Sequence, residues 1–374
     1  MEPSPLACQA CLALAALSCS PAAAAAGPHR ALDDTGATHC LDAQGAVTTA
    51  CARSGQDAGT GRDATHDDGR DGHAGFSFTK IDAAGQALPA TAATWSCVRD
   101  RVTGLLWEVK THDGTARDGR WRWTLRPAGP HRAAQDYLAG LRDANFCGTR
   151  DWRLPTLLEL TSLVDEDVTG PGARIDGDWF PDTAPTDTWT SDTSAYYGPD
   201  SHWTVAFDAD LGGDRLDDVH LQRAVLAVQG PPLRAPRQRF VLSQDEATDR
   251  VTRLAWRRCS EGQAWTGSTC AGPVTLLSFA DAIAQAASEA ARTGQGWRVP
   301  NTKELASLVD RRRSAPAFDP IAFPGTPASQ DYWTSTLFLT DPARAWSNNT
   351  WFGYTHGVSA TGTPQALRLV RDAD

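Results

Sequence analysis

The feature that most constrains this chain is that it is written twice. Asp100-Arg-Val-Thr-Gly-Leu-Leu-Trp107 recurs as Asp249-Arg-Val-Thr-Arg-Leu-Ala-Trp256. Trp152-Arg-Leu-Pro-Thr-Leu-Leu-Glu-Leu-Thr-Ser-Leu-Val-Asp165 recurs as Trp297-Arg-Val-Pro-Asn-Thr-Lys-Glu-Leu-Ala-Ser-Leu-Val-Asp310. Phe180-Pro181 matches Phe323-Pro324, Trp189-Thr190-Ser191 matches Trp333-Thr334-Ser335, and Trp203 matches Trp346. The order is kept, and the offset stays between 143 residues (Trp203 to Trp346) and 149 residues (Asp100 to Asp249). Five ordered matches specify two diverged copies of one domain.

The repeat sets the boundaries. Copy one runs over 95–230 and copy two over 240–374, with a Pro/Arg-rich linker at 231–239. An N-terminal loop-rich region occupies 27–94. Within it, 54–75 is rich in Gly and Asp and reads as an exposed loop, and Phe76-Ser-Phe-Thr-Lys-Ile81 alternates like a strand. Residues 1–26 read as an export signal: Leu6–Leu17 is apolar, and an Ala22–Ala26 run offers a cleavage site. The apolar stretch is too short for a membrane span. Cys19 is a poor lipoprotein signal, so cleavage near Ala26 is preferred over lipidation.

Beyond the signal six cysteines remain: Cys40, Cys51, Cys97, Cys147, Cys259 and Cys270. An even count in an exported chain points to disulfides, and the locally sensible pairing is 40–51, 97–147 and 259–270. No C-x-x-C pair or His at ligand spacing supports a metal site in their place.

Inside each copy the pattern is strand, helix, helix, then short strands among long loops, an α+β order. Val102–Trp107 reads as a strand with a turn signal at Gly104. Ala134, Tyr137, Leu138 and Leu141 make one helical face, and Phe279, Ala282, Ile283 and Ala286 its counterpart, with Ser278 and Asp281 placed to cap it. Thr156 with Glu159, and Asn301 with Glu304, form capping boxes for a second helix. Leu160, Leu163, Val164 and Leu305, Leu308, Val309 carry its buried stripe.

These motifs resemble the Lcl C-terminal domain family, named after a collagen-like bacterial adhesin. The matching residues are D-x-x-T-G-L-x-W at Asp100–Trp107, D-W-R-L-P-T-x-x-E-L at Asp151–Leu160, W-T-S at Trp189, Ala345-Trp346, and L-R-L-V-R at Leu367–Arg371. The resemblance implies tandem C-type-lectin-like domains, each with two helices on a small antiparallel sheet and long loops that present a ligand surface. The W-R-L-P-T-x-x-E block is also similar to the R-L-P-T-E-x-E-W block of formylglycine-generating enzymes. Those enzymes depend on late cysteines, and here neither copy has one after Cys147 or Cys270. Related variable domains bear their ligand contacts on the stretch that corresponds to Ala345–Gly357. Fold alone does not fix function.

The residues themselves narrow the chemistry. The formal charge is −10 with no basic stripe, which argues against nucleic acid. No G-x-S-x-G, P-loop, Rossmann fingerprint or H-E-x-x-H occurs, so the chain reads as no enzyme; a hydrolase or oxidase is the remote alternative. Trp152, Trp297, Trp107 and Trp256 read as core. Arg153 and Arg298 read as partners for backbone carbonyls or for Glu159 and Glu304.

Trp346, Asn348, Asn349, Trp351, Tyr354 and His356 gather rings, amides and an imidazole in one late stretch, and these are the expected ligand contacts. The expected partner is a glycan or a surface protein. A structural or assembly role in the bacterial envelope is the alternative. Asp57, Asp63, Asp67, Asp68 and Asp71 offer hard oxygens on one loop and admit calcium, without the EF-hand spacing. A second acidic run, Asp208, Asp210, Asp214, Asp217 and Asp218, reads as a solvated loop. Arg311-Arg312-Arg313, the one dense basic triplet in a chain with three lysines, reads as a helix end complementing its dipole rather than a sulfate site.

Overall fold

The computed structural model describes residues 32–66, 68–127, 129–208, 213–232 and 238–373. The expected signal, Asp67, Asp210 and most of the linker lie outside them. A short hairpin, β1 (Cys40–Leu41) and β2 (Val47–Thr48), follows the first described residues. Copy one then opens with β3 (Phe78–Ile81), β4 (Cys97–Asp100) and β5 (Leu106–Glu108), and it closes when β9 (Val228–Gln229) pairs with β5. Between them come α1 (Ala134–Asp143), α2 (Leu157–Ser162) and a three-stranded sheet of β6 (Asp187–Ser194), β7 (Gly198–Ala206) and β8 (Asp214–Asp218).

Copy two repeats the plan. β10 (Phe240–Leu242), β11 (Glu246–Asp249) and β12 (Leu254–Arg257) are closed by β18 (Val370–Asp372). A hairpin of β13 (Ala264–Trp265) and β14 (Cys270–Ala271) precedes α3 (Phe279–Thr293) and α4 (Thr302–Ser307). β15 (Asp331–Leu337), β16 (Arg344–Asn349) and β17 (Thr355–Ser359) make its second sheet. All pairings between named strands are antiparallel. The two copies are thus mixed domains of small antiparallel sheets with few helices. β3 pairs in register with β4 as β10 does with β11, so the strand expected in the N-terminal region belongs to copy one's sheet.

The repeated residues build the same bonds twice. Asp100 accepts from the Val102 amide at 2.8 Å and from the Thr103 hydroxyl; Asp249 accepts from Val251 at 2.9 Å and from the Thr252 hydroxyl at 2.8 Å. An Asp that feeds the next turn's donors fixes the bend between the second and third strands. This bend occupies 101–104, where sequence pattern alone suggested that the strand began. Thr156 and Asn301 both cap their helices in complete capping boxes. Arg153 grips Glu159 with both ends at 2.7 and 2.8 Å, and Arg298 grips Glu304 at 2.5 and 2.7 Å. The planar fork locks the chain entering the helix to the glutamate of its own capping box. The Ser of each W-T-S donates its amide to the carbonyl of Pro155 or Pro300, and the Thr hydroxyl reaches the carbonyl of Trp203 or Trp346.

Each copy has two apolar clusters. One lies under α1 or α3 and holds Trp152 and Trp189, or Trp297 and Trp333. The other lies under α2 or α4 and holds Trp107, or Trp256. Three disulfides close 40–51, 97–147 and 259–270, a set suited to an oxidising compartment. Among the described residues no helix is long and apolar enough to cross a membrane.

The copies pack face to face, and the contact is reciprocal in kind. Arg311 of copy two lies 4.3 Å over the Trp203 ring of copy one, and Arg174 of copy one lies 5.1 Å over the Trp346 ring of copy two. This corrects the expectation for the basic triplet. α4 has already ended at Ser307, and Arg311 is a largely buried cross-copy cation bonded to Asp214, while Arg312 and Arg313 hold Asp310. The second acidic run is corrected too: Asp214–Asp218 is strand β8, and Asp217 pairs with Arg223. So is 54–75, in which Gln56, Asp57, Asp63 and Ala74 are buried, Asp57 Oδ2 accepting from the Thr35 hydroxyl and Asp63 Oδ2 from the Ala37 amide.

Candidate functional site: an aromatic cleft between the copies

The turn between β6 and β7 carries Tyr196 and Tyr197. Their amides bond the Ser194 hydroxyl at 3.2 and 3.0 Å, and their rings stand outward, 51% and 61% exposed. The turn between β16 and β17 carries Trp351, Phe352 and Tyr354. Gly353 lets that turn close: its φ is +84°, and a Cβ there would stand 2.1 Å from Val309 Cγ1. Arg311 fastens the turn from below, donating to the Gly353 carbonyl at 2.7 Å and to Asp214 Oδ2 at 3.0 Å. Asp214 Oδ1 accepts the Thr355 amide at 2.5 Å. Burial pushes the Asp214 carboxyl up, and Arg311 opposes that push.

The two turns face each other and enclose a cleft of about 790 Å³. Tyr196 lies 6.0 Å from Trp351 and 6.1 Å from Phe352, and Phe352 lies 6.2 Å from Trp203 and 5.1 Å from Tyr354. Asp200, Ser201, Asp214, Arg215, Leu216 and Asp218 of copy one complete the wall. Asp200 holds Arg126 at 2.5 Å, and Asp218 holds His220 at 2.8 Å. The arrangement offers flat apolar faces rimmed by charged groups already fixed in place. That combination can stack on a ring or an apolar sugar face while bonding its hydroxyls.

Of the six expected contacts, the structure brings Trp351 and Tyr354 into the cleft. Trp346 and Asn348 are buried, 1% and 0% exposed, and serve the inside of the fold; Asn348 Nδ2 bonds the Gly353 carbonyl at 3.2 Å. Asn349 and His356 converge on Asp331 at 2.7 and 3.1 Å, beside the cleft. Burial raises Asp331, but the His356 and Asn349 bonds outweigh it and hold the carboxyl low. Tyr196, Tyr197 and Phe352 were missed. The signal for the tyrosines was their adjacency in copy one with no counterpart in copy two, and that for Phe352 was its place between Trp351 and Tyr354 in the 345–357 stretch.

The calcium candidates part company. Asp57 and Asp63 meet, joined by Asp34, which sequence reasoning overlooked. Asp68 is exposed and held by Arg70 at 2.8 Å, and Asp71 pairs with Arg101 and accepts from Ser77. Burial and the neighbouring Asp34 charge push Asp57 up to about 7, and burial pushes Asp63 up as well.

The family model of the Lcl C-terminal domain matches residues 96–228 and again 245–371, more than half of the chain. The chain belongs to the Lcl C-terminal domain family. The two matches coincide with the two structural copies, so the cleft lies between two Lcl C-terminal domains of one chain. No curated protein and no solved structure matches it.

Proposed function

We infer that this is an exported ligand-binding protein, lectin- or adhesin-like, whose two C-type-lectin-like domains share one recognition cleft for a glycan. The observation that carries this reading is that exposed rings from both domains, Tyr196, Tyr197 and Trp351, converge over one cavity when neither turn alone would enclose it. Contiguous exposed aromatics are uncommon on a surface without a partner and mark recognition sites. Export is supported by the three disulfides and by the apolar N-terminal stretch.

The test is a glycan-array screen of residues 27–374, followed by titration calorimetry on any hit. Trp351→Ala and Tyr196→Ala, one from each domain, are each expected to weaken binding at least tenfold. A hit unaffected by both changes would remove the cleft as the site. A blank array together with capture of a defined surface protein by the same rings would move the ligand class from glycan to protein.

A further inference from the structure

Residues 32–39 run along the seam between the two domains. The Thr35 carbonyl accepts the Glu166 amide of copy one at 2.8 Å, and Asp34 Oδ1 accepts Asn301 Nδ2 of copy two at 2.9 Å. The 56–63 turn closes over this arm, and three carboxylates meet there. Asp34, Asp57 and Asp63 each place an oxygen within 4.8 Å of the other two, and they are 8%, 2% and 7% exposed.

A second observation points to something between them. Asp57 Oδ2 receives the hydroxyls of Thr35 and Thr336 at 2.7 and 2.6 Å, but Asp57 Oδ1 is buried with no donor from the protein. A buried carboxylate oxygen without a donor is a costly arrangement that folded proteins avoid. The nearby Lys303 Nζ bonds the main-chain oxygens of Asp34 and Ser162; its charge favours the Asp63 carboxylate, but it gives Asp57 Oδ1 no hydrogen bond. Asp34 and Asp63 already accept protein donors on both oxygens, and three carboxylates gathered in a dry place are further stabilised by positive charge set among them. Hard, anionic oxygens on a tight turn suit a divalent cation of the calcium type, which tolerates irregular oxygen geometry better than magnesium does.

We propose that Asp34, Asp57 and Asp63 form a divalent-cation site, for calcium, that fastens the N-terminal arm into the seam between the two domains. The site is separate from the aromatic cleft and stands whether or not the cleft binds glycan. The positions of copy two that serve it are departures from copy one: Asn301 and Thr336 stand where copy one has Thr156 and Asp192.

The test uses residues 27–374, stripped with EDTA and titrated with calcium chloride in a calorimeter, with thermal unfolding followed in parallel. One saturable site per chain is expected, and the melting temperature should rise by several degrees and fall back with EDTA. Asp57→Asn should weaken binding at least tenfold. Asp68→Asn, an exposed acid of the same loop, should leave it unchanged. If Asp57→Asn does not fold, one tightly held calcium per wild-type chain by native mass spectrometry decides for the proposal. No heat and no thermal shift with millimolar calcium would overturn it, as would loss of binding in Asp68→Asn.

Discussion

The two domains are alike wherever their sequences repeat and unlike at the tips of their second sheets. Five residues after Trp189, copy one has Ser194; five residues after Trp333, copy two has Phe338. Phe338 stands edge-on to Trp346 at 4.8 Å and covers it from within its own domain. Ser194 is too small to reach Trp203, whose ring is met by Phe352 from the other domain. Each tryptophan takes an arginine from the other domain, but the ring packed on Trp346 comes from its own domain, whereas the ring on Trp203 comes from across the seam, on the turn that lines the cleft. The two repeats share a scaffold, and the serine that stands in place of the aromatic is on the strand that leads to Tyr196 and Tyr197 of the cleft.

The sharpest test of that difference is to remove each lid. Phe338 is 6% exposed, so Phe338→Ala leaves a cavity over Trp346 and should cost about 3–5 kcal/mol in denaturant unfolding. Phe352 is only half-buried, and Phe352→Ala should cost about 1–2 kcal/mol while abolishing whatever the cleft binds. Equal stability losses would mean that both phenylalanines are plain core and that the domains do not differ in this way.

The turns bearing the cleft's rings can be compared next. Gly353 and Gly198 both have positive φ, +84° and +86°. A Cβ at Gly353 would run into Val309, whereas at Gly198 nothing lies within 4 Å. Gly353→Ala should cost about 1–3 kcal/mol and displace Trp351 and Tyr354. Gly198→Ala should cost about 1 kcal/mol from backbone strain alone. Thermal unfolding of the pair reads the difference, and similar melting temperatures would show that the copy-two turn is not wedged.

What sequence made legible follows the same line. Capping boxes, the Trp-Arg-x-Pro entry, the helical faces and the disulfide partners depend on neighbours a few residues away or on matched repeats, so pattern reveals them. The cleft depends on a contact between residues 196 and 351, and local periodicity carries no record of it. A loop rich in rings and amides looks exposed, but Trp346 and Asn348 lie on β16 and are buried, Trp346 against Phe338 and Asn348 against Gly353 and Thr355. The buried carboxylates were misread as solvated for the same reason. Their donors, Thr35 and Thr336, come from opposite ends of the chain.

One aspartate of the repeat carries the comparison into pH. Asp165 of copy one and Asp310 of copy two end the same motif. Asp310 is held by Arg312 and Arg313 at 2.8 and 3.1 Å, and those guanidiniums stay charged at any working pH. Asp165 is held by His73 at 2.8 Å, and that bond, working against partial burial, pushes the imidazole up to about 9. A group whose pKa is raised by folding stabilises fully below its unfolded value, near 6.5, and that stabilisation is lost as pH climbs through about 9. The His73 side chain is 38% exposed, so solvent screening limits the effect to at most about 1 kcal/mol. Wild-type protein should therefore lose stability between pH 7 and 9.5 relative to His73→Gln, read as the difference in their urea midpoints across that window. A constant difference would mean that copy one's aspartate is held as insensitively to pH as its twin.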